Sequence, residues 1–352
     1  MSESPRIVLL TGWYYPDTVG GTEAYVQMLA HDLQDEGYRV TVAAPSTEGE
    51  QSYVHNDVDV YRYPITPTPS TNEVRGDDPP EHLDVFATWL DETAPDLVHA
   101  HSYTRGCSVH HARRVRERSI PFFATMHIPE VTCPRGTMMR WGTTPCDGTV
   151  RGLRCGACAL HDQGMPRPLA AIAALASQTA IGCHLPGRLG TVLQYGHQIR
   201  RENTRVMEWF GIAERVVVVS EWLDDVLQRN GVPAKKIVVS RHGLPDSHIP
   251  GSLHPQRSLS EEEPLRVGFV GRFAPIKGVD VLIDAVQRLP DAVPLALDLY
   301  GTVTDDNRTY YEALQTQAAA DSRITFRGEL TSENRHSVYA SFDVVAVPSQ
   351  VL

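Results

Sequence analysis

Two cations and two glycines fall within eight residues, Gly271-Arg272-Phe273-Ala274-Pro275-Ile276-Lys277-Gly278, and their types suit an anion. The apolar run Leu265 to Val270 before them reads as a buried strand. Val279, Leu282, Ile283, Val286 and Leu289 after them fall at helical spacing. The stretch is therefore a strand-to-helix turn, which offers backbone N–H groups and a helix N-terminus to negative charge. Arg272 can grip a phosphate with its planar fork, and Lys277 can add a point charge; together they suit a diphosphate. Lysine is scarce in this sequence: Lys235, Lys236 and Lys277 are its three lysines among 32 lysines and arginines. An ordinary β-α turn with solvated charges is the plain alternative.

Cysteine supplies a second chemistry. Cys133, Cys146, Cys155 and Cys158 follow the spacing C-x12-C-x8-C-x2-C inside a Gly-, Pro- and Arg-rich segment, 128–165. Four thiolates with a terminal C-x2-C can close a tetrahedral structural zinc site and order an insert that lacks its own core. An iron–sulfur cluster uses the same ligands, and free thiols or a redox pair are the other options. Cys107 and Cys183 read as isolated small core residues. Histidine is less specific. His127 ends an apolar run, where a strand-end histidine satisfied by its neighbours is as good a reading as an active one. His99 and His101 are expected on opposite sides of their strand, with at least one of them structural, and not as a metal pair.

These groups need a scaffold, and the bulk properties limit it. A chain of 352 residues exceeds one typical core and indicates two domains. Hydrophobic content of 41% with 21% charged residues describes a globular protein. A net charge of −11 argues against nonspecific nucleic-acid binding. No stretch reaches about 18 uninterrupted apolar residues, and Ile7 to Leu10 is too short for a signal peptide, so a cytoplasmic location with reduced cysteines is expected. Strand–helix alternation runs through both halves. It implies an α/β architecture of two Rossmann-like, doubly wound parallel sheets, with ligands outside the carboxyl ends of the strands, in a cleft between the domains. The expected division is a first domain over 1–245 with the Cys-rich insert 128–165, a polar linker over 246–263, and a second domain over 264–352.

Ordered motifs carry a resemblance over nearly the whole chain. Gly20-Gly21-Thr22-Glu23 opens the first helix, followed by Asp96-Leu97-Val98-His99-Ala100-His101 and Phe123-Ala124-Thr125-Met126-His127. Then come Val218-Val219-Ser220, Arg241-His242-Gly243-Leu244, the Arg272 and Lys277 turn, Tyr300-Gly301, Phe326-Arg327-Gly328 and Val347-Pro348-Ser349. In order and spacing the chain resembles a retaining glycosyltransferase of GT-B fold, from the large family numbered 4. The resemblance implies that Arg272 and Lys277 bind the donor's diphosphate, with no metal required for catalysis. It implies that Gly20 and Gly21 let backbone approach the donor or acceptor through close packing and positive φ. It places His127 beside the transferred sugar, Glu23 and Ser220 on the acceptor side, and Gly301 and Leu330 on the donor side, Leu330 in the loop that meets the nucleobase. Members also carry a Glu-x7-Glu motif shortly after Pro-Ser. Here only Gln350, Val351 and Leu352 follow, so the resemblance implies a truncated second domain and an inactive fragment.

The implied reaction moves a sugar from a UDP- or GDP-type donor to a hydroxyl of a saccharide, lipid-linked saccharide or small glycoside, as in polysaccharide biosynthesis. A sugar-nucleotide epimerase or a phosphorylase of GT-B-like fold, and a non-catalytic sugar-nucleotide-binding protein, are the alternatives. The helix with Arg113, Arg114, Arg116 and Arg118 could meet anionic lipid heads at the inner face of a membrane; a solvated helix face is the plainer reading.

Overall fold

The computed structural model describes residues 4–17, 20–127, 129–177, 187–243, 263–331 and 334–350. The expected linker (apart from Glu263), Cys183 and Leu244 lie outside the described residues. The chain divides into two compact units, Met1–Pro245 and Asp246–Leu352.

The first unit runs β1 (Arg6–Leu10), α1 (Gly21–Asp35), β2 (Arg39–Ser46), β3 (Gln51–His55), β4 (Val58–Pro64), α2 (Thr71–Val74), α3 (Leu83–Thr93), β5 (Leu97–Ala100), α4 (Val109–Glu117) and β6 (Phe122–Met126). It continues with the short hairpin β7 (Met139–Arg140) and β8 (Thr144–Pro145), then α5 (Gly152–Asp162), α6 (Arg167–Ala176), α7 (Gly187–Ile212), β9 (Arg215–Val218), α8 (Glu221–Arg229) and β10 (Ile237–Val239). Eight strands form one sheet in the order β10-β9-β6-β5-β1-β2-β4-β3. All neighbours are parallel except β3, which returns antiparallel to β4. The turn at Asn56 and Asp57 joins them with φ of 47° and 63°, the left-handed pair that matches strand twist.

Both faces of this sheet are covered, which explains the unbroken apolar runs. Ile7 and Leu9 of β1 pack with Val26 and Ala30 of α1. Val8 and Leu10 face the opposite layer, with Phe86 of α3, Val115 of α4 and Trp209 of α7. Each such large side chain fully buried contributes about 1.5–3 kcal/mol. The end of α7 is fixed by Lys236, whose ammonium donates to the carbonyls of Gly211 at 2.6 Å and Ala213 at 2.7 Å. A cation there satisfies orphan carbonyls and the negative end of the helix dipole.

The second unit runs β11 (Leu265–Val270), α9 (Val279–Gln287), β12 (Leu295–Tyr300), α10 (Arg308–Ala318), β13 (Ile324–Gly328), α11 (Arg335–Ala340) and β14 (Val344–Val345). Its sheet is parallel, in the order β13-β12-β11-β14. Phe269, Leu297 and Leu299 pack against Ile283 and Val286 of α9 and Leu314 of α10. On the other face a Cβ at Gly268 would strike the Phe342 ring, so close packing of that ring requires glycine.

Candidate active site

In the first sheet β1 pairs with β2 on one side and β5 on the other, so chain order reverses between β1 and β5. The carboxyl edge at such a reversal is where doubly wound sheets bind ligands. A row of rings stands there. Tyr25, from the second turn of α1, lies 5.9 Å from His101, 4.9 Å from His127 and 4.4 Å from His242 between ring centroids. His101 follows β5, His127 follows β6 and His242 follows β10. His101 Nδ1 is 3.3 Å from His127 Nε2, and His127 Nδ1 is 3.0 Å from His242 Nε2. His99 Nε2 lies 2.7 Å from the buried Thr125 hydroxyl.

Burial holds these imidazoles neutral. Desolvation, then the neighbouring His242 and His99, lowers His127 to about 3. Desolvation lowers His99 to about 4 and drives His101 well below the usual histidine range, with His99, His127 and His242 adding to the effect. A neutral imidazole donates at one nitrogen and accepts at the other, so His101, His127 and His242 share one tautomer, protonated at Nδ1 throughout or at Nε2 throughout. His101 Nε2 is buried with no hydrogen-bond partner among the described residues.

His99 and His101 do not face opposite sides of β5: their rings are 4.2 Å apart. Side chains alternate with a period of two, so residues i and i+2 share a face. Tyr25 belongs to the same row, and His242 stands in the sequence only within the Arg241-His242-Gly243-Leu244 motif. The strand-end positions of three histidines were visible in the sequence; their convergence needed the sheet order.

Gly20 caps α1 with extended backbone, φ −148°, and Gly21 begins the helix, so neither adopts the expected positive φ. The absence of a side chain still matters at Gly20. A Cβ there would lie 2.6 Å from Glu23 Oε2, because the largely buried Glu23 folds back over the start of the helix. Nothing lies within 4 Å of a Cβ at Gly21. The Ser220 hydroxyl caps α8, accepting from the Leu223 N–H at 3.3 Å.

In the second unit the cationic turn lies between β11 and α9, where the sequence placed it. Phe273 is buried against Tyr311 and Phe326 and anchors the turn. Arg272 is exposed and Lys277 partly exposed, and neither side chain has an ion-pair or hydrogen-bond partner among the described residues. Gly278 is left-handed, φ 66°, and a Cβ there would meet the Pro348 carbonyl oxygen. Asp280, the acidic residue in the first turn of α9, is engaged by the Tyr310 hydroxyl at 2.8 Å. The floor is drawn together by backbone: Gly271 N–H donates to Tyr300 O at 3.0 Å and Gly301 N–H to Gly328 O at 2.8 Å. A Cβ at Gly301 would press on the Gly271 carbonyl oxygen. Leu330 is two residues beyond β13, partly exposed.

Two further features belong to the first unit. A cavity of about 440 Å³ is lined by Tyr103, Thr104 and Arg105 after β5, by Asn203 and Arg205 of α7, and by Pro134 and Val150 of the insert. Two of its arginines are matched by acids: Arg105 pairs with Glu73 at 2.9 Å, and Arg205 with Asp77 at 2.8 Å. Asn203 Oδ1 is buried there with no partner among the described residues. The arginine-rich helix α4 spends its charge within the protein, Arg113 on Glu208, Arg114 on Asp84 and Arg118 on Asp91. No helix among the described residues is long and apolar enough to cross a membrane.

Two α/β units with parallel sheets, one edged by neutral histidines and the other carrying a cationic glycine turn, have the GT-B architecture. Residues 20–157 match the family described as Glycosyl transferase 4-like domain, and residues 264–351 match Glycosyl transferases group 1. The chain belongs to this glycosyltransferase family. It is 30% identical over 144 residues to D-inositol 3-phosphate glycosyltransferase of Mycobacterium sp. (strain KMS), 39% of this chain and 32% of that protein. The enzyme of the same name from Corynebacterium efficiens is 36% identical over 88 residues, 24% of this chain and 21% of that protein. These matches thus span about a third or less of the relatives' length. Among solved structures, Anabaena HepE in complex with UDP and glucose superposes with a TM-score of 0.56 at 14% identity, over 98% of this chain and 74% of that one. The lipopolysaccharide outer core galactosyltransferase WaaB superposes with a TM-score of 0.54 at 12% identity, over 98% and 74%.

Proposed function

We propose that this protein transfers a sugar from a nucleotide-diphosphate donor to a hydroxyl acceptor, with retention at the anomeric carbon. The observation that carries the reading is the pair of free cations on the β11–α9 turn. Most of the chain's arginines described above are held in ion pairs, whereas Arg272 and Lys277 flank a glycine-framed helix start with no partner among the described residues. Such a turn matches a leaving diphosphate, whose charge grows as the glycosidic bond breaks. HepE, a structural neighbour, binds UDP and UDP-glucose, which supports a uridine-type donor as the first to test.

In this reading the neutral His127 exchanges its Nε2 contact with His101 for a hydroxyl of the transferred sugar, with Tyr25 and His242 holding its ring. The donor's own phosphate takes the acceptor proton, so the protein contributes position and charge rather than a general base. The cavity beside Tyr103 and Asn203 takes the acceptor, its largely apolar wall carrying Asn203 Oδ1, without a partner among the described residues, and arginines that can meet hydroxyls. The test is a panel of UDP- and GDP-sugars with saccharide and glycoside acceptors, read by released diphosphate and by the anomeric coupling of the product. Turnover with an inverted product would refute retention. Absence of any nucleotide-diphosphate binding by calorimetry would refute the donor class.

A further inference from the structure

Cys133, Cys146, Cys155 and Cys158 come from a turn, the end of the β7–β8 hairpin and one face of α5, and all four line a single cavity of about 20 Å³. Cys155 and Cys158, three apart on α5, share a helix face. Two of the sulfurs already accept backbone N–H groups: Cys158 from Trp141 at 3.2 Å and Cys155 from Arg151 at 3.3 Å. Arg135 and Arg154 line the same cavity, and the Nε of each is buried with no hydrogen-bond partner among the described residues. We propose that these four cysteines bind one zinc ion as a structural four-thiolate site.

The packing of the insert shows why it needs such a centre. From residue 131 to 151 the buried positions are Thr132, Met138 and Gly148 alone. Over that stretch Gly136, Met138, Trp141, Gly142 and Gly148 all hold left-handed backbone, with φ between 55° and 73°. Non-glycine residues there are strained, and one buried methionine is too small a core to enforce the conformation. The Trp141 turn is what aims its N–H at Cys158. Outer-shell donors of this kind orient thiolates and temper their charge. Four thiols that release their protons to solvent and bind Zn²⁺ carry a net charge of −2, and the guanidiniums of Arg135 and Arg154, paired with Asp162 and Asp147, stand beside it. Among the described residues no three ligand-type side chains are yet drawn in as an ion would hold them, so the thiols must turn inward from the cavity wall. The cavity's volume suits one ion. The site would fix the turn 147–150 that Asn230 grips through the Val150 N–H and Gly148 carbonyl, each at 2.8 Å, and with it the wall that Pro134 and Val150 give the larger cavity.

The experiment is metal analysis of the chain purified without chelator, followed by titration of the metal-free chain with Zn²⁺ or Co²⁺ alone. The expected result is about one zinc per chain, and a cobalt form with the visible and near-ultraviolet bands of a tetrahedral four-thiolate ion. Cys133→Ser and Cys158→Ser should weaken binding by more than the roughly 10–100-fold that loss of an outer-shell partner costs, while Cys107→Ser should leave it unchanged. Because the cobalt spectrum is read on the unmodified chain, unfolding of a variant does not obscure the answer. Four thiols alkylated freely in the folded chain, no cobalt spectrum, a Cys155–Cys158 disulfide or an iron–sulfur chromophore would each overturn the assignment. None of these outcomes depends on glycosyl transfer.

Discussion

His127 and His242 are 115 residues apart in sequence, yet Nδ1 of the first lies 3.0 Å from Nε2 of the second. The two residues follow strands separated in the sheet by β9. One ring is lowered to about 3 by desolvation first and by its neighbour second, so the pair is neutral at physiological pH and one nitrogen donates while the other accepts. His127 therefore cannot act as a cationic acid at neutral pH. Its Nε2, once released from His101, can orient a sugar hydroxyl.

The first prediction follows from that neutrality. With turnover established, kcat/KM should show no ionisation of His127 between pH 6 and 8. His127→Ala should lower kcat/KM by about 10–100-fold through lost positioning, and His242→Ala should lower it less. A bell-shaped profile whose limb near pH 6.5 disappears in His127→Ala would contradict the assignment.

Acid should unfold the first unit early. His99, His101 and His127 have folded pKa values depressed below the ordinary 6.5, as does His111, lowered to about 3 by desolvation and then by His110. Below pH 6.5 the unfolded chain binds protons that the folded one refuses. The stability contribution is thus complete above 6.5 and falls progressively as pH drops toward about 4 and 3. Tm measured at fixed ionic strength should decline steadily from pH 7 to pH 4.5. A flat Tm over that window would show that these rings are solvated.

The diphosphate grip predicts that Arg272→Ala and Lys277→Ala each lower kcat/KM by about 100-fold or more, the usual cost of removing charge aimed at a leaving group. Arg272→Lys should recover little, because an ammonium cannot replace the guanidinium fork. Near-normal turnover in both alanine variants would move the donor site elsewhere.

Gly278 tests the shape of the same turn. Gly278→Ala must place a side chain at φ 66° and against the Pro348 carbonyl oxygen. The left-handed conformation alone costs roughly 1–2 kcal/mol. Denaturant unfolding should show at least that loss, and nucleotide-diphosphate affinity should fall with it. Equal stability of the two proteins would mean the turn has another conformation.

Ser220 separates structure from chemistry. Its hydroxyl caps α8, so Ser220→Ala should cost about 1 kcal/mol of stability. Ser220→Asp, which keeps a capping oxygen, should restore it. Loss of turnover in both variants at full stability would return Ser220 to the acceptor side.

Periodicity alone placed the elements around the cationic turn: the apolar run Leu265 to Val270 is β11, the helical run Val279 to Leu289 ends two residues beyond α9, and the turn falls between them as read. Local rules suffice there because one buried face repeats at a fixed spacing and glycine marks each end. The turn between β3 and β4 carries no glycine, Asn56-Asp57 taking its left-handed positions, so no glycine signal marks β3 there. The ring row could not be read from sequence. Tyr25, His101, His127 and His242 come from four different strand–helix junctions, and only the order β10-β9-β6-β5-β1 brings those junctions to one edge. The pKa values have the same origin, since burial by residues distant in the chain sets them. The unpaired state of Arg272 and Lys277 is likewise tertiary: sequence supplies the cations, but which carboxylates come within reach of each is settled when the chain packs.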